Sequence, residues 1–123
     1  MKQALVVDDS PVIRKIARQM LERMNFQVRE AEDGAAAVQN CTASMPDVIL
    51  LDWNMPVMSG FDCLKTLRAM PGGDKPKVVF CTTENSFAMI QQAMNAGADE
   101  YIMKPFDEFI IREKLLQIGF IVA

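Results

Sequence analysis

The fold of this chain is decided by positions 48–56, which read VILLDWNMP. The run at 48–51 is uninterrupted leucine and β-branched residues, which is typical of a strand buried on both faces of a parallel sheet. Asp52 follows directly, and the chain then turns through Pro56 to Gly60. Ligands bind at the carboxyl ends of strands in open α/β sheets, so Asp52 is the first candidate functional residue. Alone it proves little, since aspartate is also a common turn residue.

Outward from this strand, short apolar runs alternate with amphipathic segments. Strands are predicted at 4–7, 27–31, 48–52, 78–81 and 101–103. Helices are predicted at 11–24, from 34 to before Pro46, and at 60–70, 86–96 and 107–117, with Ser10-Pro11 a helix start and Gly97 a helix end. This alternation predicts an α/β fold with a parallel sheet and helices on both faces. The three wholly apolar strands belong inside the sheet, and the charged second strand and the fifth strand at its edges.

Composition limits the classes of protein. With 123 residues, 50% hydrophobic and 24% charged, we expect a single globular domain spanning residues 1–123, without an output domain and monomeric. The net charge of −3 without a basic cluster argues against nucleic acid as a partner. No apolar run is long enough to span a membrane, and no signal peptide is visible, so we expect a cytoplasmic protein with no membrane partner.

Histidine is absent, which excludes Ser-His and Cys-His nucleophile systems. Cys41, Cys63 and Cys81 are odd in number and widely spaced, so they are predicted to be reduced, mostly buried thiols. Any chemistry must therefore depend on carboxylates, hydroxyls and lysine.

Polar side chains stand at the tips of four predicted strands, namely Asp8, Asp9, Asp52, Thr82 and Lys104. Strand tips in a parallel sheet share one edge, so these residues are expected to converge. Carboxylates packed together repel unless a cation intervenes, and oxygen ligands favour a hard ion such as Mg²⁺. Lysine suits a phosphoryl oxygen, and threonine offers a hydroxyl donor. The set favours phosphoryl transfer, with Asp52 as the nucleophile that becomes an aspartyl phosphate.

Each feature also has an ordinary interpretation. Asp8 and Asp9 could simply begin a turn, Lys104 could be a solvated loop residue, and Thr82 could merely end a strand. All of these would have to hold independently at every strand tip.

With these residues the whole chain resembles the receiver domain of bacterial two-component response regulators, and within that family the chemotaxis (CheY-like) type. The matching features are Asp8-Asp9, positions 52–56 with Gly60, Thr82, and Lys104-Pro105, at family separations. The resemblance implies a flavodoxin-like (βα)5 fold with strand order 2-1-3-4-5.

The resemblance also implies a ligand set. Asp9 and Asp52 would hold Mg²⁺ with the backbone carbonyl of Asn54, and Asp8 would act mainly through water. Asp52 would accept a phosphoryl group from a histidine kinase or phosphotransfer protein, and Lys104 would pair with that group.

A conformational switch is implied as well. Thr82 would move to hydrogen-bond the phosphoryl group, and Tyr101 would swing inward with it. The Lys104-Pro105 peptide is expected to be cis, which proline permits. Asn54 and Glu84 occupy the positions that tune autodephosphorylation, so we expect a short-lived phosphoprotein.

The fourth predicted helix carries two apolar stripes about 100° apart, of which only one can pack on the sheet. The stripes are Met89, Ala93 and Ala96, and Phe87, Ile90 and Met94. The second, beside Tyr101, is either a partner surface or simply half-buried.

The leading hypothesis is a stand-alone response regulator that catalyses only its own phosphorylation and dephosphorylation and acts on a downstream protein, such as a flagellar motor component. A phosphate sink or relay between histidines is the alternative. A haloacid dehalogenase-type phosphatase would need an aspartate where Asn54 stands. A flavodoxin-like FMN binder would meet repulsion between its phosphate and Asp8-Asp9.

Overall fold

The central strand occupies the positions that the apolar run predicts, within a parallel sheet of five strands. The computed structural model describes residues 2–83 and 86–119. The strands are β1 (Gln3–Val7), β2 (Gln27–Ala31), β3 (Val48–Asp52), β4 (Lys77–Thr82) and β5 (Glu100–Met103). The helices are α1 (Pro11–Arg23), α2 (Gly34–Ala43), α3 (Gly60–Ala69), α4 (Phe87–Asn95) and α5 (Glu108–Gln117). The order is β2-β1-β3-β4-β5 with every pair parallel, so the predicted fold class and strand order are confirmed.

The helix ends follow the local sequence signals. The Ser10 hydroxyl accepts a hydrogen bond from the Ile13 backbone N–H at 3.3 Å, with Pro11 at the first helical position. Asn25 takes a left-handed φ of 67° after α1, and Gly97 a φ of 113° after α4. The predicted boundaries therefore agree with the structure to within a residue or two.

The core has two layers, one on each face of the sheet. Along β1, Ala4 and Val6 pack into one layer, while Leu5 and Val7 pack into the other. Successive residues of a strand point to opposite faces, so a strand covered on both sides must be apolar throughout. The first layer includes residues of α1 and α5, and the second includes residues of α2, α3 and α4.

The three cysteines are free and buried, as predicted. Burial raises the pKa of Cys63 and of Cys81 to about 12, so both thiols stay protonated at neutral pH. No helix within the described ranges has the length and apolarity that crossing a membrane requires.

Arg68 of α3 joins the two turns that lead into β4 and β5. Its guanidinium donates to the carbonyl oxygens of Gly97 at 2.7 Å and of Gly73 and Pro76 at 2.8 Å each. It also pairs with Asp99 at 3.1 Å. Bidentate and multiple contacts of this kind are what a planar guanidinium provides, so Arg68 ties the turn after α4 to the turn that leads into β4.

Candidate functional site

Asp52 ends β3 with only 6% of its surface exposed. Its neighbour across the sheet is Cys81 of β4. The following loop closes where the Gly60 N–H donates to the Trp53 carbonyl at 2.9 Å. A Cβ on Gly60 would lie 2.1 Å from the carbonyl oxygen of Asp52, so only glycine allows α3 to start this close to the backbone of Asp52.

Trp53 is held beside Asp52 by aromatic contacts. Its ring stacks on Phe61 at 5.6 Å between centroids and lies 5.0 Å from Phe80. It is half-buried and packs on the core layer beneath α2 and α3. The tryptophan therefore belongs to the core and also adjoins the end of β3.

The turn after β1 gives its two aspartates different environments. Asp8 is buried at 3% exposure, and its Oδ1 accepts the Ser10 backbone N–H at 2.9 Å, while the Asp8 N–H donates to the Ala31 carbonyl at 3.2 Å. Asp9 is exposed. One carboxylate thus lies inside the pocket and the other at its mouth.

The acidic residues from β1 and β3 converge with the lysine that follows β5. Asp8, Asp9 and Asp52 each offer a carboxylate oxygen, and these oxygens lie within 4.8 Å of one another. The Lys104 Nζ donates to Asp8 Oδ2 at 2.6 Å and lies 3.1 Å from Asp52 Oδ1, with 17% of its side chain exposed. The shared edge of the sheet has brought together residues more than ninety positions apart.

Burial and the neighbouring charges shift the pKa values of Asp52 and Lys104. Burial raises the pKa of Asp52; the Lys104 hydrogen bond opposes this rise, and the charges of Asp8 and Asp9 add to it. Burial lowers the pKa of Lys104, but its hydrogen bonds to Asp8 and Asp52 outweigh that effect and leave the pKa raised. Lys104 is therefore an ammonium ion at neutral pH, one cation facing three carboxyl groups.

The donor set fits a hard divalent cation. All three acidic side chains offer oxygen, and among the described residues the cluster contains no cysteine or histidine. Mg²⁺ prefers such ligands and completes its shell with carbonyl oxygens and water. The exposure of Asp9 leaves the pocket accessible from solvent.

Thr82 lies opposite Met103 of β5, which directly precedes Lys104. Thr82 ends β4 at 2% exposure, and its carbonyl accepts the Lys104 backbone N–H at 2.8 Å. The Lys104-Pro105 peptide is cis, which confirms the expectation drawn from the resemblance. Tyr101 lies on β5 opposite Phe80, half-buried, with the Lys114 Nζ 5.3 Å from its ring centroid. It packs against the core layer that includes α4, and it is not part of the carboxylate cluster.

Asn54 is exposed in the turn after Asp52. Glu84 lies outside the described residues.

On α4 the two stripes differ. Ala93 is buried at 2% exposure, whereas Phe87 is 79% and Met94 37% exposed. Ile90 is half-buried. The stripe with Ala93 packs on the sheet, and the stripe with Phe87 and Met94 leaves apolar surface in solvent.

One contact of the site escaped the sequence analysis. The Arg14 Nη1 donates to the Asp8 carbonyl at 2.6 Å, and its Nε donates to Glu30 at 3.0 Å. Arg14 is one of several basic residues on α1, with Lys15 and Arg18 close by. No pattern in the sequence distinguishes it from them.

The fold and site together define a class of protein: a flavodoxin-like α/β domain with an oxygen-only acidic pocket and a lysine at the carboxyl edge of its sheet. The family model described as response regulator receiver domain matches residues 4–116, and the chain belongs to this family. Its members are signalling proteins that interact with histidine kinases and downstream targets, and they bind Mg²⁺ at an acidic pocket.

The chain is similar to named relatives over most of its length. It is 39% identical over 113 residues to chemotaxis protein CheY1 of Helicobacter pylori, covering 90% of this chain and 91% of that protein. It superimposes on chemotaxis protein CheY4 of Vibrio cholerae with a TM-score of 0.91 and 32% identity, covering 96% of this chain and 98% of that one. The receiver domain of sensor histidine kinase PA1611 from Pseudomonas aeruginosa, described with a magnesium ion coordinated in its active site cleft, gives a TM-score of 0.85 at 27% identity, covering 96% and 98% of the two chains.

Proposed function

We propose that this chain acts as a response regulator in chemotaxis. A histidine kinase or phosphotransfer protein supplies a phosphoryl group to Asp52, and the phosphorylated form binds a downstream protein, in this case a flagellar motor component. The observation that carries the proposal is the position of Lys104, whose Nζ lies 3.1 Å from Asp52 Oδ1 and 2.6 Å from Asp8 Oδ2. The similarity to chemotaxis proteins supports the pathway.

In the transfer step a carboxylate oxygen of Asp52 attacks the phosphorus of a phosphohistidine. The bond from phosphorus to the imidazole nitrogen breaks, its electron pair stays with the imidazole, and an acyl phosphate forms on Asp52. Lys104 can pair with a phosphoryl oxygen while it keeps its hydrogen bond to Asp8. Thr82, which ends the adjoining strand, is proposed to donate its hydroxyl to another phosphoryl oxygen.

Asp9, Asp52 and the backbone carbonyl of Asn54 are the residues proposed to hold Mg²⁺, with Asp8 acting through water. When bound, the ion neutralises charge that develops on the phosphoryl oxygens. In dephosphorylation, water attacks phosphorus, the bond to the Asp52 oxygen breaks, the Asp52 carboxylate is regenerated and inorganic phosphate leaves. Asn54 and Glu84 are proposed to tune the rate of this hydrolysis.

The output is proposed to be a shift between two conformations. Movement of Thr82 toward the phosphoryl group would change the side-chain orientation of Tyr101, because Thr82 lies on β4 and Tyr101 on the adjoining strand β5. The surface that reads out this change is formed by Phe87, Ile90, Met94 and Tyr101. Free, buried cysteines suit the reducing cytoplasm, where we place the protein as a monomer.

Incubation with acetyl phosphate and Mg²⁺ tests this proposal. We expect mass spectrometry to show one added phosphoryl group, lost on treatment with hydroxylamine, and borohydride reduction to map it to Asp52. EDTA should prevent the labelling, and the adduct should decay well within a few hours once the donor is removed. A protein that no small phosphodonor labels would refute the phosphoacceptor role, and an adduct that lasts many hours would refute the short-lived phosphoprotein.

An Ile90→Asp variant tests the readout surface. We expect it to be labelled by acetyl phosphate as the parent is, but to capture about tenfold less motor switch protein when loaded with beryllofluoride, a loss of ~1.4 kcal/mol of binding free energy. If Ile90 instead packs in the core, the variant should unfold, because the substitution would bury a charge. The measurement is a pull-down of loaded against unloaded protein.

Gln92→Asp serves as the matched control, since Gln92 is an exposed residue of the same helix. It should leave capture unchanged. If Ile90→Asp and Gln92→Asp lost equal amounts of capture, the assignment of this surface would be wrong. Capture of histidine phosphotransfer proteins alone would favour the relay function over motor control.

A further inference from the structure

We infer that Arg14 is a positioning residue of the metal site: through the Asp8 carbonyl it fixes the peptide that joins Asp8 to Asp9, and so sets where the Asp9 carboxylate lies. This inference rests on the proposed function, because it concerns the same Mg²⁺ pocket. It adds a residue of α1 that is neither an acidic ligand nor part of the phosphoryl-binding set.

The contact itself is short and charge-assisted. The Arg14 Nη1 donates to the Asp8 carbonyl oxygen at 2.6 Å, and only 16% of the Arg14 side chain is exposed. Hydrogen bonds from a guanidinium are stronger than neutral ones. The Asp8 carbonyl belongs to the same rigid peptide plane as the Asp9 nitrogen, so holding this oxygen restrains the start of Asp9 as well.

The guanidinium is itself held in place from the edge of the sheet. Its Nε donates to Glu30 Oε1 at 3.0 Å, and the second oxygen of Glu30 accepts Arg18 Nη1 at 2.8 Å. Glu30 lies on β2, opposite Val6 of β1. Glu30 thereby links the edge strand, through Arg14, to the turn that carries both aspartates.

Asp8 and Asp9 differ in how firmly the structure holds them. Asp8 is restrained through its own side chain, which bonds to the Ser10 N–H and to Lys104. Asp9 is exposed, and among the described residues its carboxylate makes no hydrogen bond or ion pair. Its position therefore depends on the backbone of the turn, which Arg14 fixes. Removal of a residue that orients a metal ligand commonly lowers the metal affinity ten- to a hundredfold.

Charge alone predicts the opposite sign. A cation near a divalent ion repels it, so removal of Arg14 would strengthen Mg²⁺ binding if the guanidinium acted only through its charge. If Arg14 positions Asp9, removal weakens binding despite the lost repulsion. The direction of the change thus separates the two roles.

Calorimetric titration with MgCl₂ tests the inference, with the emission of Trp53, the single tryptophan, as a second readout. We expect Arg14→Gln to raise the Mg²⁺ dissociation constant about tenfold. Arg18→Gln is the matched control, because it removes an equal charge and a Glu30 pair without touching Asp8, and it should stay within about twofold of the parent. Arg14→Lys, which retains a donor and the charge, should recover part of the affinity.

Two results would overturn the inference. One is that Arg14→Gln binds Mg²⁺ as tightly as the parent or more tightly. The other is that Arg18→Gln loses as much Mg²⁺ affinity as Arg14→Gln does. Far-ultraviolet circular dichroism in EDTA checks that each variant is folded. If Arg14→Gln is unfolded, the Mg²⁺ affinity of Arg14→Lys is compared with that of the parent instead. An unchanged affinity in Arg14→Lys would then contradict the positioning role. A parent protein that binds no Mg²⁺ would instead refute the proposed function, so the two failures are distinct.

Discussion

An Asp52→Asn variant is expected to take up no phosphoryl group from acetyl phosphate, while unfolding at a higher urea concentration than the parent in metal-free buffer at pH 7. The amide lacks the anionic oxygen that attacks phosphorus, so labelling should fall below detection. The amide is also neutral, so it removes one carboxylate from a pocket where three lie within 4.8 Å. Loss of function and gain of stability should therefore appear in the same molecule.

The stability effect has a defined pH dependence. Burial raises the pKa of Asp52 above its ordinary 3.8, so the unfolded chain gives up this proton at lower pH than the folded one. The stabilisation from the protonated carboxyl is complete below about pH 4 and is lost as pH rises through the folded pKa. We therefore expect the parent to lose stability relative to Asp52→Asn as the pH rises over this range.

Urea unfolding at pH 4 and pH 7 in EDTA measures this difference. The two proteins should be nearly equally stable at pH 4 and separate at pH 7, and MgCl₂ should then favour the parent, which keeps the ligand. Asp62→Asn is the control for labelling, since Asp62 is an exposed carboxylate of α3 and its substitution should leave labelling by acetyl phosphate unchanged. A variant that is less stable than the parent at pH 7 in EDTA would contradict the argument, as would labelling that persists.

The architecture follows from features that a sequence displays directly. Positions 48–51 are apolar without alternation, which places β3 in the interior of a sheet covered on both faces. The exposed Gln27 and the half-buried Arg29 and Glu30 place β2 at the edge. Once the strands are parallel, their carboxyl ends share one edge, so the approach of Lys104 to Asp52 follows from topology.

The details of the site do not follow from residue types. Asp8 and Asp9 are the same residue type, but the geometry of the turn buries Asp8 and leaves Asp9 exposed. Arg14 and Arg68 act through backbone carbonyl oxygens, such as that of Asp8 or Gly97, which every residue possesses. Only the path of the loops decides which carbonyl a guanidinium reaches, so periodicity and spacing do not identify such contacts.

A Lys104→Met variant is expected to lose about 3 kcal/mol of unfolding free energy at pH 7 in EDTA, because it leaves Asp8 and Asp52 buried together without their counter-ion. The interaction is largely protected from solvent, since the lysine side chain is 17% and the two carboxylate side chains 5% and 8% exposed. The folded pKa of Lys104 is raised above 10.5, so its stabilisation is fully present below pH 10.5 and disappears only above it. The parent thus has the full contribution throughout the neutral range.

The same variant should bind Mg²⁺ more tightly, because the ammonium no longer competes for the carboxylate oxygens and no longer repels the ion. Saturating MgCl₂ should therefore restore most of the lost stability at pH 7, and protonation of Asp52 at pH 4 in EDTA should restore part of it. Urea unfolding under the three conditions and a Mg²⁺ titration measure both effects, with Lys15→Met, an exposed residue of α1, as the control for net charge. If Lys104→Met bound Mg²⁺ more weakly than the parent, or stayed equally destabilised at pH 4, then Lys104 would act through packing, and a competition between ammonium and metal for Asp8 and Asp52 would not describe this site.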